Sequence, residues 1–294
     1  MLSKKQFDIL TLLEKTDYRP TQRIIAKEQN ISLGTVNKVL SELTEKDFVW
    51  DGKITEEGIA ALEPYKVKRA IIFAAGFGSR LVPITLNTPK PLVRVKGCRI
   101  IDSLLDAFIS AGIDELYLVR GYLAEQFDQL LYKYPTIKFI ENPSYQDENN
   151  ISSAMQARHL LGNSYVCDAD LLLYNPTLIT KYQYQTNYIG VPVERTDDWC
   201  LKTKNGFVTQ MCIGGTNCYH MFGLSYWNDK DGKRLAHHIK EVYESPGGKE
   251  RYWDQVAIDY HINEYQIAMR PCCFHDIIEI DTYRELKELD PSYI

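Results

Sequence analysis

The sequence predicts an α/β protein: a mostly parallel sheet with helices on both faces, preceded by a small domain of helices and a β-hairpin. Three observations carry this expectation. From Val67 onward, short apolar runs of strand character alternate with amphipathic stretches of helical spacing, the pattern of a parallel sheet wrapped by helices. Before that point, residues 3 to about 65 hold helical apolar faces and one hairpin turn signal. Between them Glu63-Pro64-Tyr65-Lys66-Val67-Lys68 reads as a linker, because proline ends the preceding helix. The division expected is therefore 1–66 and 67–294.

In the first domain, Phe7, Ile9, Leu10, Leu12 and Leu13 give one helix an apolar face, and Thr21 to Gln29 forms a second. A third runs from Ser32 to Lys46, opened by a serine cap. Phe48-Val49-Trp50 and Lys53-Ile54 flank Asp51-Gly52, a hairpin turn, and Thr55 starts a further short helix. Three helices and a β-wing resemble a winged helix-turn-helix domain of the MarR-like regulator kind. That resemblance places Thr35, Asn37 and Lys38 where a recognition helix meets DNA. The basic and acidic residues of this domain nearly cancel, whereas DNA-binding modules usually carry a basic excess. DNA binding and a packing, dimerisation or vestigial role all stand as readings, and a homodimer is open.

In the second domain, the expected strands are Ala70 to Phe73, Glu115 to Val119, Ile137 to Ile140 and Ser164 to Cys167. The expected helices are Ile100 to Ala111, Ala124 to Tyr134, Ile151 to Leu161 and Asp229 to Tyr243. Ligands of such sheets bind outside the carboxyl ends of the strands.

Two groups of residues fall at such ends. The first strand breaks at Ala74-Ala75-Gly76-Phe77-Gly78-Ser79-Arg80, where small residues let backbone N–H groups approach phosphate oxygens and Arg80 adds a forked cation. Lys90 follows in Thr88-Pro89-Lys90-Pro91-Leu92, its backbone fixed by the flanking prolines. The glycines are followed by no Gly-Lys-Ser/Thr and lack the G-x-G-x-x-G spacing, so neither a P-loop nor a dinucleotide fingerprint is present. The strand Ser164 to Cys167 closes at Asp168-Ala169-Asp170, two carboxylates pointing the same way and suited to Mg²⁺ shared with substrate phosphates. The bland alternatives are a solvated turn, or Asp168 capping nearby backbone.

These motifs resemble the signature of nucleotidyltransferases that join a nucleoside triphosphate to a phosphorylated small molecule, on a Rossmann-like sheet. With Gly121 to Asp128, Asn149-Asn150-Ile151-Ser152-Ser153, Asn163 to Asp170, Asp198-Trp199 and Tyr252-Trp253-Asp254, the stretch from about Val67 to Leu289 resembles the LicC-type CTP:phosphocholine cytidylyltransferases. The winged helix lies outside that likeness. The resemblance implies CTP and phosphocholine as substrates, Mg²⁺ as cofactor, Asp170 as one metal aspartate and Asp254 as the second. Lys90 and Arg80 become the catalytic cations, and Ala74 to Arg80 with Asn150 and Asp168 the nucleotide site. Trp199, Tyr252 and Trp253 become faces for the quaternary ammonium, which can donate no hydrogen bond. Phosphoethanolamine, 2-aminoethylphosphonate and a sugar 1-phosphate stay open as acceptors. So does a regulator that senses nucleotide without turning it over.

Bulk properties agree. A net charge of -5 argues against a protein that coats nucleic acid. No apolar run is long enough for a membrane span and no signal-peptide core opens the chain, so a cytoplasmic enzyme without a membrane partner is expected. The seven cysteines, without paired spacing, suit reduced thiols, and the six histidines show no metal spacing.

Overall fold

The computed structural model describes residues 1–293, which separate into two compact units. The first comprises Met1–Lys66 together with Tyr182–Tyr184; the second comprises Val67–Lys181 and Gln185–Ile294.

The first unit holds α1 (Lys4–Lys15), α2 (Gln22–Glu28), α3 (Leu33–Glu45), the hairpin β1 (Val49–Trp50) and β2 (Lys53–Ile54), and α4 (Glu56–Leu62). Each helix starts where a hydroxyl can take an orphan N–H: Ser3, Thr21, Ser32 and Thr55 all cap. Phe7, Ile9, Leu10, Ile25, Val36, Val39 and Leu43 build the core. Tyr182–Tyr184 completes it. The Tyr184 ring stacks on Tyr65 at 5.6 Å, and its hydroxyl donates to the Leu2 carbonyl at 3.2 Å.

The second unit begins with β3 (Arg69–Ala74), β4 (Arg94–Val95), β5 (Cys98–Arg99), α5 (Ile100–Ser110), β6 (Glu115–Arg120) and β7 (Lys138–Glu141). Next come α6 (Ile151–Ala157), β8 (Ser164–Asp168), β9 (Leu171–Leu173), β10 (Asn187–Lys204), β11 (Phe207–Trp227) and α7 (Asp229–Glu244). The chain closes with α8 (Trp253–Gln255), β12 (Ala268–Pro271), β13 (Ile277–Glu279) and α9 (Tyr283–Leu289). The main sheet runs β10-β12-β11-β8-β3-β6-β7. β3 lies parallel between β6 and β8, and β6 is parallel to β7. β11 runs antiparallel to β8, so the sheet is mixed but mostly parallel. One core packs α5 against the sheet through Leu104, Leu105 and Phe108; the other packs α6 and α7 against it through Ala154, Leu235 and Ile239.

Two expectations on local structure change. Ala124 to Tyr132 winds as tight 3-10 turns rather than an α-helix, entered through Leu123 in the left-handed region. The β10–β11 arm, 18 and 21 residues long, has no counterpart in the sequence-based expectation. Its pairing is broken by bulges between Thr196 and Lys202, which scramble the two-residue alternation that marks a strand.

Among the described residues, no helix is long and apolar enough to cross a membrane.

Candidate active site

A cleft of about 640 Å³ opens at the carboxyl ends of β3 and β8. Its floor is the loop after β3. Ala74, Ala75, Gly76, Gly78, Ser79 and Arg80 line it, while the Phe77 ring packs edge-on against Tyr122 at 4.6 Å and is absent from the lining. Gly78 takes φ +68°, and a Cβ there would sit 3.0 Å from Lys90 Cβ. Any side chain at 78 would therefore be strained and would push on the lysine.

Lys90 is buried beneath this loop. Its ammonium lies 2.7 Å from Asp170 Oδ2 and 3.1 Å from Asp281 Oδ1. Burial works to lower its pKa, but the carboxylates of Asp170 and Asp281 outweigh that and hold it at about 12. Arg80, largely exposed, forks onto Asp281 with nitrogens at 2.7 and 2.9 Å.

The acidic side of the cleft is richer than expected. Asp170, Glu279 and Asp281 bring carboxylate oxygens within 4.8 Å of one another. Burial, then the charges of Asp170 and Asp281, pushes the Glu279 carboxyl well above its usual range. Asp168 is pushed up too, by burial and then by Asp170 and Asp254. Gly223, at φ +61°, faces Asp168 so closely that a Cβ would lie 2.4 Å from its Oδ2. Asp281 is held below the usual carboxylate range: burial opposes this, and Lys90 and Arg80 override it.

Whether a divalent cation fits can be judged from the donors themselves. Asp170 Oδ1 is buried with no hydrogen-bond partner, a costly state for a polar atom. Hard carboxylate oxygens grouped at this spacing, in excess of the single buried lysine, are the donor set of Mg²⁺. The residues fit.

Asp254, expected as the second metal aspartate, does not join that group. It is buried, and its Oδ1 accepts the Tyr188 hydroxyl at 2.7 Å. Burial raises its pKa to about 7, against the pull of that hydrogen bond. The carboxylates that cluster with Asp170 come instead from β13 and the residues just after it. The signal lay in Ile278-Glu279-Ile280-Asp281, where two acids alternate with apolar residues as they do in Asp168-Ala169-Asp170.

The three aromatics expected at the acceptor end also part company. Trp199 and Tyr252 line the cleft, meeting edge to face at 5.4 Å. Trp253 is fully buried, packed against Tyr188, Phe73 and Trp227, and is no wall of the cleft. Asp254, Asp198, Glu148, Met211 and Met221 complete that end.

Asn150 lines the cleft beside them. It precedes α6 but makes no side-chain cap. Its Oδ1 accepts instead from the Trp253 N–H at 2.9 Å, tying the start of α6 to the segment that carries Tyr252 and Asp254.

In the first unit, Asn37 and Lys38 are exposed on α3, whereas the Thr35 hydroxyl lies 2.9 Å from that of the capping Ser32.

Residues 69–186 match the Nucleotidyl transferase family, and residues 2–49 match the family described as Winged helix-turn-helix DNA-binding. The chain is 35% identical over 229 residues to the 2-aminoethylphosphonate cytidylyltransferase of Lancefieldella rimae, covering 76% of this chain and 93% of that protein. It is 32% identical over 225 residues to the choline-phosphate cytidylyltransferase of Streptococcus pneumoniae, covering 75% of this chain and 97% of the relative. Among solved structures, the CTP:phosphocholine cytidylyltransferase from Streptococcus pneumoniae (LicC) superposes with a TM-score of 0.71 at 31% identity, over 78% of this chain and all of the other.

Proposed function

We propose that this chain, which belongs to the nucleotidyl transferase family, transfers a cytidylyl group from CTP to a small phosphate or phosphonate that carries a cationic ammonium head. The observation that carries the acceptor class is the buried Asp254 carboxylate at a cleft end walled by Trp199 and Tyr252. An anion and two π faces in one pocket suit a cation.

An oxygen of the acceptor attacks the α-phosphorus of CTP, the bond to the β-phosphate oxygen breaks, and pyrophosphate leaves. No covalent intermediate with the protein is needed. The amides of Ala75 to Ser79 cradle the triphosphate, with the loop held open by Gly78. Arg80 and Lys90 turn toward the phosphates and neutralise charge that grows as pyrophosphate departs. Asp170, Glu279 and Asp281 would hold Mg²⁺, which supplies charge neutralisation and orientation of phosphate oxygens when bound. Asn150 keeps the acceptor segment in register with α6.

Phosphocholine is the first acceptor on this reading, in line with the motifs shared with the choline-phosphate enzymes. 2-Aminoethylphosphonate is the second, and two observations favour it. The aromatic wall has two members rather than three, and Asp198 joins Asp254 in the cleft lining, as a hydrogen-bonding primary amine would want, whereas both Glu148 oxygens are engaged by Lys249 and the Tyr243 hydroxyl.

Pyrophosphate release with each nucleoside triphosphate against phosphocholine, 2-aminoethylphosphonate, phosphoethanolamine and glucose 1-phosphate tests the reading. Turnover with CTP and one ammonium-bearing acceptor supports it and names the acceptor. Turnover with glucose 1-phosphate alone removes the cation pocket. Folded protein that binds CTP without turning over any pair leaves a nucleotide sensor.

A further inference from the structure

The histidines without metal spacing in the sequence gain it in the fold. His238, on the buried face of α7, lies with its ring 3.7 Å from that of His261 and nearly parallel to it. Glu264, one turn past His261, places one oxygen 3.6 Å from His238 Nε2 and the other 3.3 Å from His261 Nδ1. All three donor atoms lie within 4.8 Å of one another. None of these residues lines the catalytic cleft.

We propose that His238, His261 and Glu264 form a binding site for a divalent transition metal, Zn²⁺ by the chemistry of its donors. Two imidazole nitrogens and a carboxylate oxygen are a borderline set that favours Zn²⁺ over Mg²⁺, which takes oxygen. Zn²⁺ bonds of about 2.0–2.1 Å in a tetrahedron set ligand atoms about 3.3 Å apart. The two nitrogen–oxygen separations, 3.3 and 3.6 Å, are at or just above that distance, but the two rings stack nearly parallel, so one of them must swing out of the stack for both in-plane lone pairs to meet on one ion.

An outer hydrogen bond of the kind that orients metal-bound histidines is also in place. His238 Nδ1 lies 2.8 Å from the Tyr265 hydroxyl. In the tautomer whose Nδ1–H donates to that hydroxyl, Nε2 carries the lone pair that a metal would take. Arg234 engages the Glu264 backbone carbonyl and the face of Tyr265.

The site joins α7 to the turn that follows the Trp253–Tyr260 segment. It would clamp the far end of the stretch that begins with Trp253 and Asp254.

The test is Zn²⁺ titration of chelator-treated, reduced, full-length protein in excess Mg²⁺, read by calorimetry and thermal melting. One Zn²⁺ per chain and a raised Tm are expected, with tetrahedral nitrogen–oxygen bands when Co²⁺ replaces Zn²⁺. His261→Ala and Glu264→Gln should each weaken binding by about 100-fold or more, and Tyr265→Phe by roughly 10-fold. Asp170→Asn should leave the isotherm unchanged. No binding by the unsubstituted protein, or the same isotherm in His261→Ala and Glu264→Gln, overturns the site and leaves a hydrogen-bonded histidine–glutamate cluster.

Discussion

The Lys90 ammonium lies 2.7 Å from Asp170 and is also shared with Asp281, so one buried cation bridges two of the three carboxylates suited to a metal. Replacing it by alanine leaves those acids facing one another and removes a charge from the cleft. Lys90→Ala should lose roughly 10²–10³ in kcat, the scale of one transition-state donor. Circular dichroism should show a folded protein. Near-normal turnover in that variant would falsify the assignment.

The proposed division between metal and acceptor carboxylates makes opposite predictions for two aspartates. Asp281→Asn should raise the Mg²⁺ concentration needed for half-maximal activity at least about 10-fold and leave acceptor KM little changed. Asp254→Asn should do the reverse. If both variants shift the Mg²⁺ requirement alike, Asp254 belongs to the metal after all.

The raised pKa of Asp254 gives a pH signature. Its folded value of about 7 stands above the unfolded value near 3.9, so the folded state holds its proton longer. Its contribution to stability is present in full below about pH 4 and is lost as pH rises to about 7, by at most ~4 kcal/mol. Asp254→Asn should therefore gain in Tm over the unsubstituted protein from pH 4 to 7, with a constant difference above that. In the same range acceptor KM should fall as Asp254 ionises, while CTP KM stays level. A flat acceptor profile would separate Asp254 from the cation.

The neighbouring tryptophans should behave as different residues. Trp199→Ala should raise acceptor KM about 10- to 30-fold, the value of up to ~2 kcal/mol of cation–π attraction, with a small effect on Tm. Trp253→Ala should cost ~3–5 kcal/mol of stability, because it empties a core site. Equal Tm losses in the two variants would place Trp199 in the core as well.

For the small unit, Lys38→Ala should weaken binding to genomic fragments in a gel shift and lower the slope of log affinity against log salt by about one. Should the unsubstituted protein shift no fragment at low salt, the exposed face of α3 serves something other than DNA.

The glycine loop, Lys90 and Asp170 were legible in the sequence because they sit in one or two short windows with unusual composition. Glu279 and Asp281 were not singled out, since they reach the site from near the opposite end of the chain and only strand pairing of β13 with β9 delivers them. In sequence, Tyr252-Trp253-Asp254 reads as a unit. Yet adjacent residues at the start of a helix point different ways, and Trp253 turns inward while its neighbours line the cleft. The β10–β11 arm escaped notice because its bulges break the alternation on which strand reading depends. The histidine–glutamate cluster escaped for a simpler reason: 23 residues separate His238 from His261 in sequence, and only the fold brings the two rings together.

The helical unit's core is spelled in two separate passages of the gene, one at its start and one within the coding stretch of the sheet. A fragment ending at residue 66 would lack the Tyr184 ring against Phe7 and Tyr65. A fragment beginning at 67 would carry Tyr182 and Tyr184 without the helical core they pack into. The winged helix is therefore no detachable cassette, and shuffling it onto another enzyme would need both passages to travel together.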